Sequence, residues 1–112
     1  MSQFVSVMDA ASLPPGQGRT VHVRGREFAV FNRNGEFFAL ENACPHKAGP
    51  LGAGLLKEDR LFCPLHGWEF EVTTGACVTR PDRPVKSYRT QVQDGQVQIC
   101  FEDAPNAGPV TK

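Results

Sequence analysis

Two short segments of this 112-residue chain each combine a cysteine with a histidine at close spacing. The first reads Cys44-Pro45-His46, and the second, after sixteen intervening residues, reads Cys63-Pro64-Leu65-His66. Thiolate and imidazole are ligands that favour transition metals over hard cations such as magnesium. Two of each form a complete ligand set, so the predicted metal ligands are Cys44, His46, Cys63 and His66.

The order of these ligands distinguishes two kinds of metal centre. A structural zinc site accepts two cysteines and two histidines, but zinc modules commonly place both cysteines in one knuckle and both histidines in another. Here each segment carries one of each, which suits a two-iron cluster between facing loops, with both cysteines on one iron and both histidines on the other. The residues favour this cluster, and zinc remains the alternative.

The other candidate ligands have no such neighbours. His22 is isolated in an alternating stretch and is predicted to be an exposed or half-buried side chain. Cys77 and Cys100 have no cysteine or histidine near them in sequence, so we expect both to be inert thiols.

Strand signals dominate the elements that must position the metal ligands. Asn34-Gly35 and Asp94-Gly95 are typical of tight hairpin turns. The last two predicted strands run from Val85 to Gln93 and from Gln96 to Phe101. No stretch of about ten residues shows a helical apolar period. Many short strands between closely spaced turns predict an all-β fold, a small antiparallel β-sandwich or barrel.

The chain length fits one small domain, which we place at residues 1–103, with residues 104–112 as a flexible tail. The predicted ligands fall in a loop-rich subdomain of about residues 43–84. Its loops are rich in glycine and proline and show no period, as is typical of ordered functional loops.

Composition excludes several classes of function. Lys plus Arg and Asp plus Glu are both 12, and this zero net charge argues against nucleic acid as a partner. The first residues do not resemble a signal peptide, and no apolar run approaches the roughly 20 residues of a membrane span. We therefore expect a cytoplasmic protein with reduced thiols. No nucleophile–base pair, P-loop or nicotinamide motif is present, so no catalytic residue is predicted, and the sequence leaves open whether the chain is part of an enzyme.

The motifs resemble a known family. CPHKAGPL and CPLHGWEFEVTTGACV are similar to the two cluster-binding loops of Rieske ferredoxins. The stretch from Phe4 to Phe101, which includes VKSYRTQVQDGQV, most resembles the small subunit of assimilatory NAD(P)H-dependent nitrite reductase. This resemblance implies a Rieske-type β fold with a [2Fe–2S] cluster. Cys44 and Cys63 would bind one iron, His46 and His66 would bind the other, and the loop from Pro81 to Pro84 would cover the cluster.

The resemblance implies one-electron transfer in nitrate assimilation, with a large reductase subunit carrying flavin, Fe–S and sirohaem as partner. The alternative is a separate Rieske ferredoxin that delivers electrons to an aromatic-ring dioxygenase. A third hypothesis is a zinc-stabilised interaction module without redox function.

Three residues set our expectation for the reduction potential. High-potential Rieske proteins resemble CTHLGC and CPCHGS, with a disulfide between the loops and a serine that donates to a cluster sulfur. In this sequence Gly49 and Leu65 occupy the positions of the two cysteines that form that disulfide. Trp68 occupies the position of the serine. With fewer hydrogen bonds to its sulfurs than in the high-potential proteins, the reduced cluster is stabilised less, which lowers the potential. We expect a potential in the lower half of the range of about −150 to +300 mV.

Several cations lie in or beside the predicted loops: Lys47, Lys57, Arg80, Arg83 and Lys86. Scattered solvated charge is the favoured interpretation. The alternative is a docking surface for an acidic partner, because rim charges tune the rate of association.

Overall fold

The computed structural model describes residues 4–45, 49–65 and 67–100, and antiparallel strands form most of them. The strands are β1 (Phe4–Asp9), β2 (Gly18–Val23), β3 (Arg26–Arg33), β4 (Glu36–Glu41), β5 (Leu55–Lys57), β6 (Arg60–Phe62), β7 (Glu69–Glu71), β8 (Ser87–Tyr88), β9 (Thr90–Gln93) and β10 (Gln96–Cys100). Two 3₁₀ turns, Ala10–Ser12 and Leu51–Ala53, are the helical segments of these ranges. None of the helical segments described is long and apolar enough to cross a membrane. The predicted all-β class is confirmed.

The described strands form three antiparallel sheets, with the orders β1-β10-β9, β2-β3-β4-β8 and β5-β6-β7. Both predicted hairpin turns are present. Asn34 and Gly35 have φ of 54° and 94°, and Asp94 and Gly95 have φ of 54° and 76°. Two consecutive positive φ angles are the requirement of the type I′ turn, which matches the twist of the strands it joins.

β3 belongs to the middle layer of the molecule, because it buries both of its faces. Phe28 and Val30 point into a core shared with the β1-β10-β9 sheet, while Ala29 and Phe31 point into a core shared with the β5-β6-β7 sheet. Successive side chains of a strand point to opposite faces, so this run of apolar residues serves two cores at once. The second core contains the predicted cysteine ligands, and the middle sheet therefore supports the site.

The stretch from Val85 to Gln93, predicted as one strand, is divided at Arg89. Tyr88 of β8 pairs with Ala39 in the middle sheet, whereas Val92 of β9 pairs with Val97 in the first sheet. The chain changes sheets at this point, a change that side-chain alternation does not encode. Burial raises the pKa of Tyr88, although the nearby Arg26 guanidinium acts in the opposite direction.

Candidate metal centre

The first loop of the site, residues 43–50, is closed at its base by backbone hydrogen bonds. The Cys44 amide donates to the Gly49 carbonyl at 2.9 Å, and the Leu51 amide donates to the Asn42 carbonyl at 2.7 Å. The loop thus folds back on itself between β4 and the following 3₁₀ turn. Cys44 is only 1% exposed, so its thiol is held inside the molecule.

The second loop, residues 63–68, joins β6 to β7 and is closed in the same way. The Cys63 amide donates to the Trp68 carbonyl at 2.8 Å, and the Gly67 amide donates to the Cys63 carbonyl at 3.0 Å. Gly67 has φ of 73°, a conformation that glycine adopts without steric cost. Cys63 is 4% exposed, so the second thiol is also buried.

The two loops touch at Gly49. A Cβ atom built on Gly49 would lie 2.9 Å from Leu65 Cγ and 3.2 Å from Cys63 Sγ. The backbone of the first loop therefore packs directly against the sulfur of the second. Gly49 and Leu65 are neighbours across the two loops, which is the relation that linking cysteines would need.

The two predicted cysteine ligands lie in the same core. Cys44 and Cys63 are both free and share one apolar core with Leu51, Phe70 and Val72. Buried polar ligands in an apolar shell are typical of metal sites, since the shell controls solvent access and dielectric. The described ranges contain no group of three or more metal-ligating side chains.

The predicted ligands His46 and His66 lie outside the described residues, as does Lys47. Their assignment as ligands of the second iron stays a prediction.

A third loop, residues 77–84, lies against the second loop. The Val78 amide donates to the Glu69 carbonyl at 2.7 Å, and the Arg80 guanidinium carbon lies 5.9 Å from the centre of the Trp68 ring. Trp68 packs at the edge of the core that holds both thiols. The loop containing Pro81 and Pro84 is thus adjacent to the site, and its covering role stays a prediction.

The remaining cysteines and His22 take structural positions. Cys77 is buried, and its sulfur accepts a hydrogen bond from the Arg80 amide at 3.2 Å. Cys100 is fully buried at the end of β10. His22 is exposed and lies 3.0 Å from a Glu27 carboxylate oxygen.

Asn42 is a residue of the site that the sequence analysis missed. It is 3% exposed, and its side-chain oxygen accepts hydrogen bonds from Thr20 Oγ1 at 3.0 Å and from the Gly52 amide at 2.9 Å. Its amide nitrogen donates to Glu27 at 3.0 Å. Asn42 therefore ties both ends of the first loop to β2 and β3. Its position two residues before Cys44 was visible, but its partners lie 10 to 22 residues away.

Comparison with known proteins agrees with this geometry. The family model of the Rieske [2Fe–2S] domain matches residues 3–89. The 3-phenylpropionate/cinnamic acid dioxygenase ferredoxin subunit of Photorhabdus laumondii is 35% identical over 105 residues, 92% of this chain and 98% of the relative. Among solved structures, the Sphingomonas yanoikuyae B1 ferredoxin has a TM-score of 0.80 and 31% identity, covering 88% of this chain and 98% of that chain. The E. coli protein NirD has a TM-score of 0.83 and 25% identity, covering 92% and 100%.

The chain belongs to the Rieske [2Fe–2S] domain family. Its cofactor is a Rieske-type [2Fe–2S] cluster, and its chemistry is electron transfer. The zinc hypothesis is set aside by this membership.

Asn42 provides a first prediction. In Asn42→Ala the buried Gly52 amide loses its acceptor, which costs about 2 kcal/mol of unfolding free energy and loosens the first loop. We expect the loaded protein to lose its visible absorption several times faster than wild type in the presence of a chelator.

The matched control is Asn32→Ala. Asn32 is also buried, donates to the Leu13 carbonyl and accepts from the Gly35 amide, but it contacts neither cluster loop in these bonds. This variant should lose comparable stability without faster cluster loss. Equal rates of cluster loss in the two variants would contradict the role of Asn42 in holding the first loop.

The Glu27 carboxylate gives a prediction on pH. The hydrogen bond from Asn42 and then that from His22 hold its pKa below the ordinary 4.5. A lowered pKa in the folded state stabilises the fold above the ordinary value, and this contribution is lost as pH falls through the lowered value. Glu27→Gln should therefore show a shallower loss of stability below about pH 4.5 than wild type in urea unfolding series. Superimposable pH curves would refute this.

Proposed function

We propose that this protein is the ferredoxin component of an oxygenase system in the cytoplasm, accepting single electrons from a reductase and passing them to a Rieske oxygenase. The observation that carries this proposal is the 35% identity, over nearly the whole of both chains, to a dioxygenase ferredoxin subunit. The four free cysteines suit a reducing compartment.

The chain's residues hold and shield the redox centre. Bound between the loops, a [2Fe–2S] cluster supplies a site that takes up and releases one electron. The Cys44 and Cys63 thiolates would hold one iron, and His46 and His66 would hold the other. Leu51, Phe70 and Val72 exclude water from the thiolate side. Leu65 is exposed and lies beside the buried Cys63, so only a thin layer of protein covers Cys63 on this side.

The reduction potential provides a prediction for this centre. Gly49 and Leu65 cannot form a disulfide, and Trp68 offers no hydroxyl to a cluster sulfur. We expect a midpoint below roughly +75 mV, the centre of the Rieske range, in redox titration followed by electron paramagnetic resonance. A midpoint near the top of that range would show that other donors compensate.

The nitrite reductase small subunit, the first expectation from the sequence, is the second candidate. The HK-x-GPL string of the first loop favours it, as does the TM-score of 0.83 to NirD, a nitrite reductase small subunit. Such a subunit would remain bound to a large sirohaem-containing reductase, whereas a ferredoxin would bind its partners only briefly.

This difference in lifetime is the basis of the test. The tagged, cluster-loaded protein is captured from cells of its source organism and passed over a size-exclusion column. We expect it to elute alone and, once reduced, to be reoxidised by a purified oxygenase component whose product forms only when the chain is present. Co-elution in fixed ratio with a large sirohaem protein would overturn the ferredoxin proposal in favour of the second candidate.

A further inference from the structure

The second and third loops each expose one large apolar side chain. Of the described residues, the large apolar side chains that are well exposed are Leu55, Leu65, Val78 and Val92. Leu65 lies within the second loop beside Cys63, and Val78 bonds to Glu69, the residue after that loop. Leu65 is 52% exposed and Val78 is 42% exposed. Exposed apolar groups that cluster beside a functional site are typical of a binding surface.

The two arginines of the second and third loops outnumber the single carboxylate there, Asp82. Asp82 lies 3.5 Å from Arg80 in a pair whose two side chains are more than half exposed. Such an exposed pair is worth little, so a partner's carboxylate can replace it.

Arg80 lies against the aromatic ring at the end of the second loop. Its guanidinium stacks on the Trp68 ring, and the Arg83 amide donates to the Arg80 carbonyl at 2.8 Å. Arg83 is exposed on the same loop.

We propose that Leu65, Val78, Arg80 and Arg83 form a docking patch for a redox protein that presents an apolar centre with a carboxylate rim. The inference rests on the proposed electron-carrier function and specifies its partner. The patch lies on the second and third loops, so docking there brings the partner close to Cys63. Apolar contact holds the complex together, while the arginines steer the encounter and make it sensitive to salt.

The test measures electron transfer to two protein probes of opposite charge. Reduced protein is mixed in a stopped-flow instrument with plastocyanin, an acidic acceptor, or cytochrome c, a basic one, and each accepts one electron. We expect the plastocyanin rate to be the higher at low ionic strength and to fall with added salt. In Arg80→Glu/Arg83→Glu that rate should fall about tenfold, while the cytochrome c rate rises.

Lys57→Glu is the matched control for Arg83→Glu, because both substitutions change the net charge by the same amount. Lys57 is exposed at the end of the β5–β6 hairpin remote from Cys63. Its variant should keep the wild-type rates within twofold, with visible absorption showing full cluster content in all variants. Leu65→Ser/Val78→Ser should slow transfer to plastocyanin at low and high salt alike.

The outcomes separate this inference from the function it rests on. Equal effects of Arg83→Glu and Lys57→Glu, or faster wild-type transfer to cytochrome c than to plastocyanin, would overturn the docking patch and leave the electron carrier intact. A wild-type protein that prefers plastocyanin but does not reduce the oxygenase component would instead refute the proposed ferredoxin function.

Discussion

Replacing either ligand cysteine, Cys44→Ser or Cys63→Ser, is expected to yield protein without the [2Fe–2S] cluster. The serine hydroxyl is a hard ligand that stays protonated at neutral pH, whereas the iron–sulfur centre requires soft thiolates. Both side chains are buried in the core, so no other residue on the surface can take their place by a small movement. Iron and sulfide analysis, visible absorption and electron paramagnetic resonance of the reduced protein measure the loss.

The chain supplies its own controls for this experiment. Cys77 and Cys100 are also free and buried, but neither belongs to the two ligand loops. Cys77→Ser keeps an acceptor for the Arg80 amide, so we expect it to retain the cluster, as Cys100→Ser should. A cluster lost in Cys77→Ser but retained in Cys44→Ser would show that the ligands are wrongly assigned.

Gly52→Ala is expected to destabilise the protein strongly and to disturb the first loop. A Cβ at this position would lie 2.6 Å from the Thr20 amide nitrogen and 2.8 Å from the Arg19 carbonyl carbon. Both are backbone atoms of β2 and cannot turn away, so the 3₁₀ turn after the first loop must separate from the strand. Overpacking of this kind costs about 3 kcal/mol. It would also break the hydrogen bond between the Gly52 amide and Asn42.

Denaturant unfolding and cluster retention are the measurements for Gly52→Ala, with Gly95→Ala as control. Gly95 has φ of 76° and no atom within 4 Å of the added Cβ, so its variant has backbone strain without a clash. That strain costs about 1 kcal/mol and lies in a hairpin distant in sequence from both loops. If both variants lost equal stability and kept the cluster, the tight contact between the first loop and β2 would be of no consequence.

The sequence was sufficient for the local elements. Asn34-Gly35 and Asp94-Gly95 predicted their turns correctly, because positive φ at both central residues is a local steric requirement. The short 3₁₀ turn at Ala10–Ser12 likewise agrees with the absence of a helical apolar period. These features depend on a few consecutive residues, so a pattern in the chain can reveal them.

The division of the stretch from Val85 to Gln93 was not predictable, because no turn signal such as glycine or proline separates its two halves. Only pairing decides that Tyr88 joins the middle sheet and Val92 the first. The same is true of β3, whose continuous apolar run indicates burial on both faces without saying which sheets cover them.

The sequence by itself indicated the family of this protein through two Cys–His segments with fixed spacing, and the family match confirmed it. The assignment of the four ligands stays a prediction. The tertiary structure decided how the loops are held. It brought Gly49 against Leu65 and Cys63, joined Asn42 to Thr20, Gly52 and Glu27, and stacked Arg80 on Trp68. These contacts join residues far apart in the chain. They arise from the packing of three sheets, which no local pattern encodes.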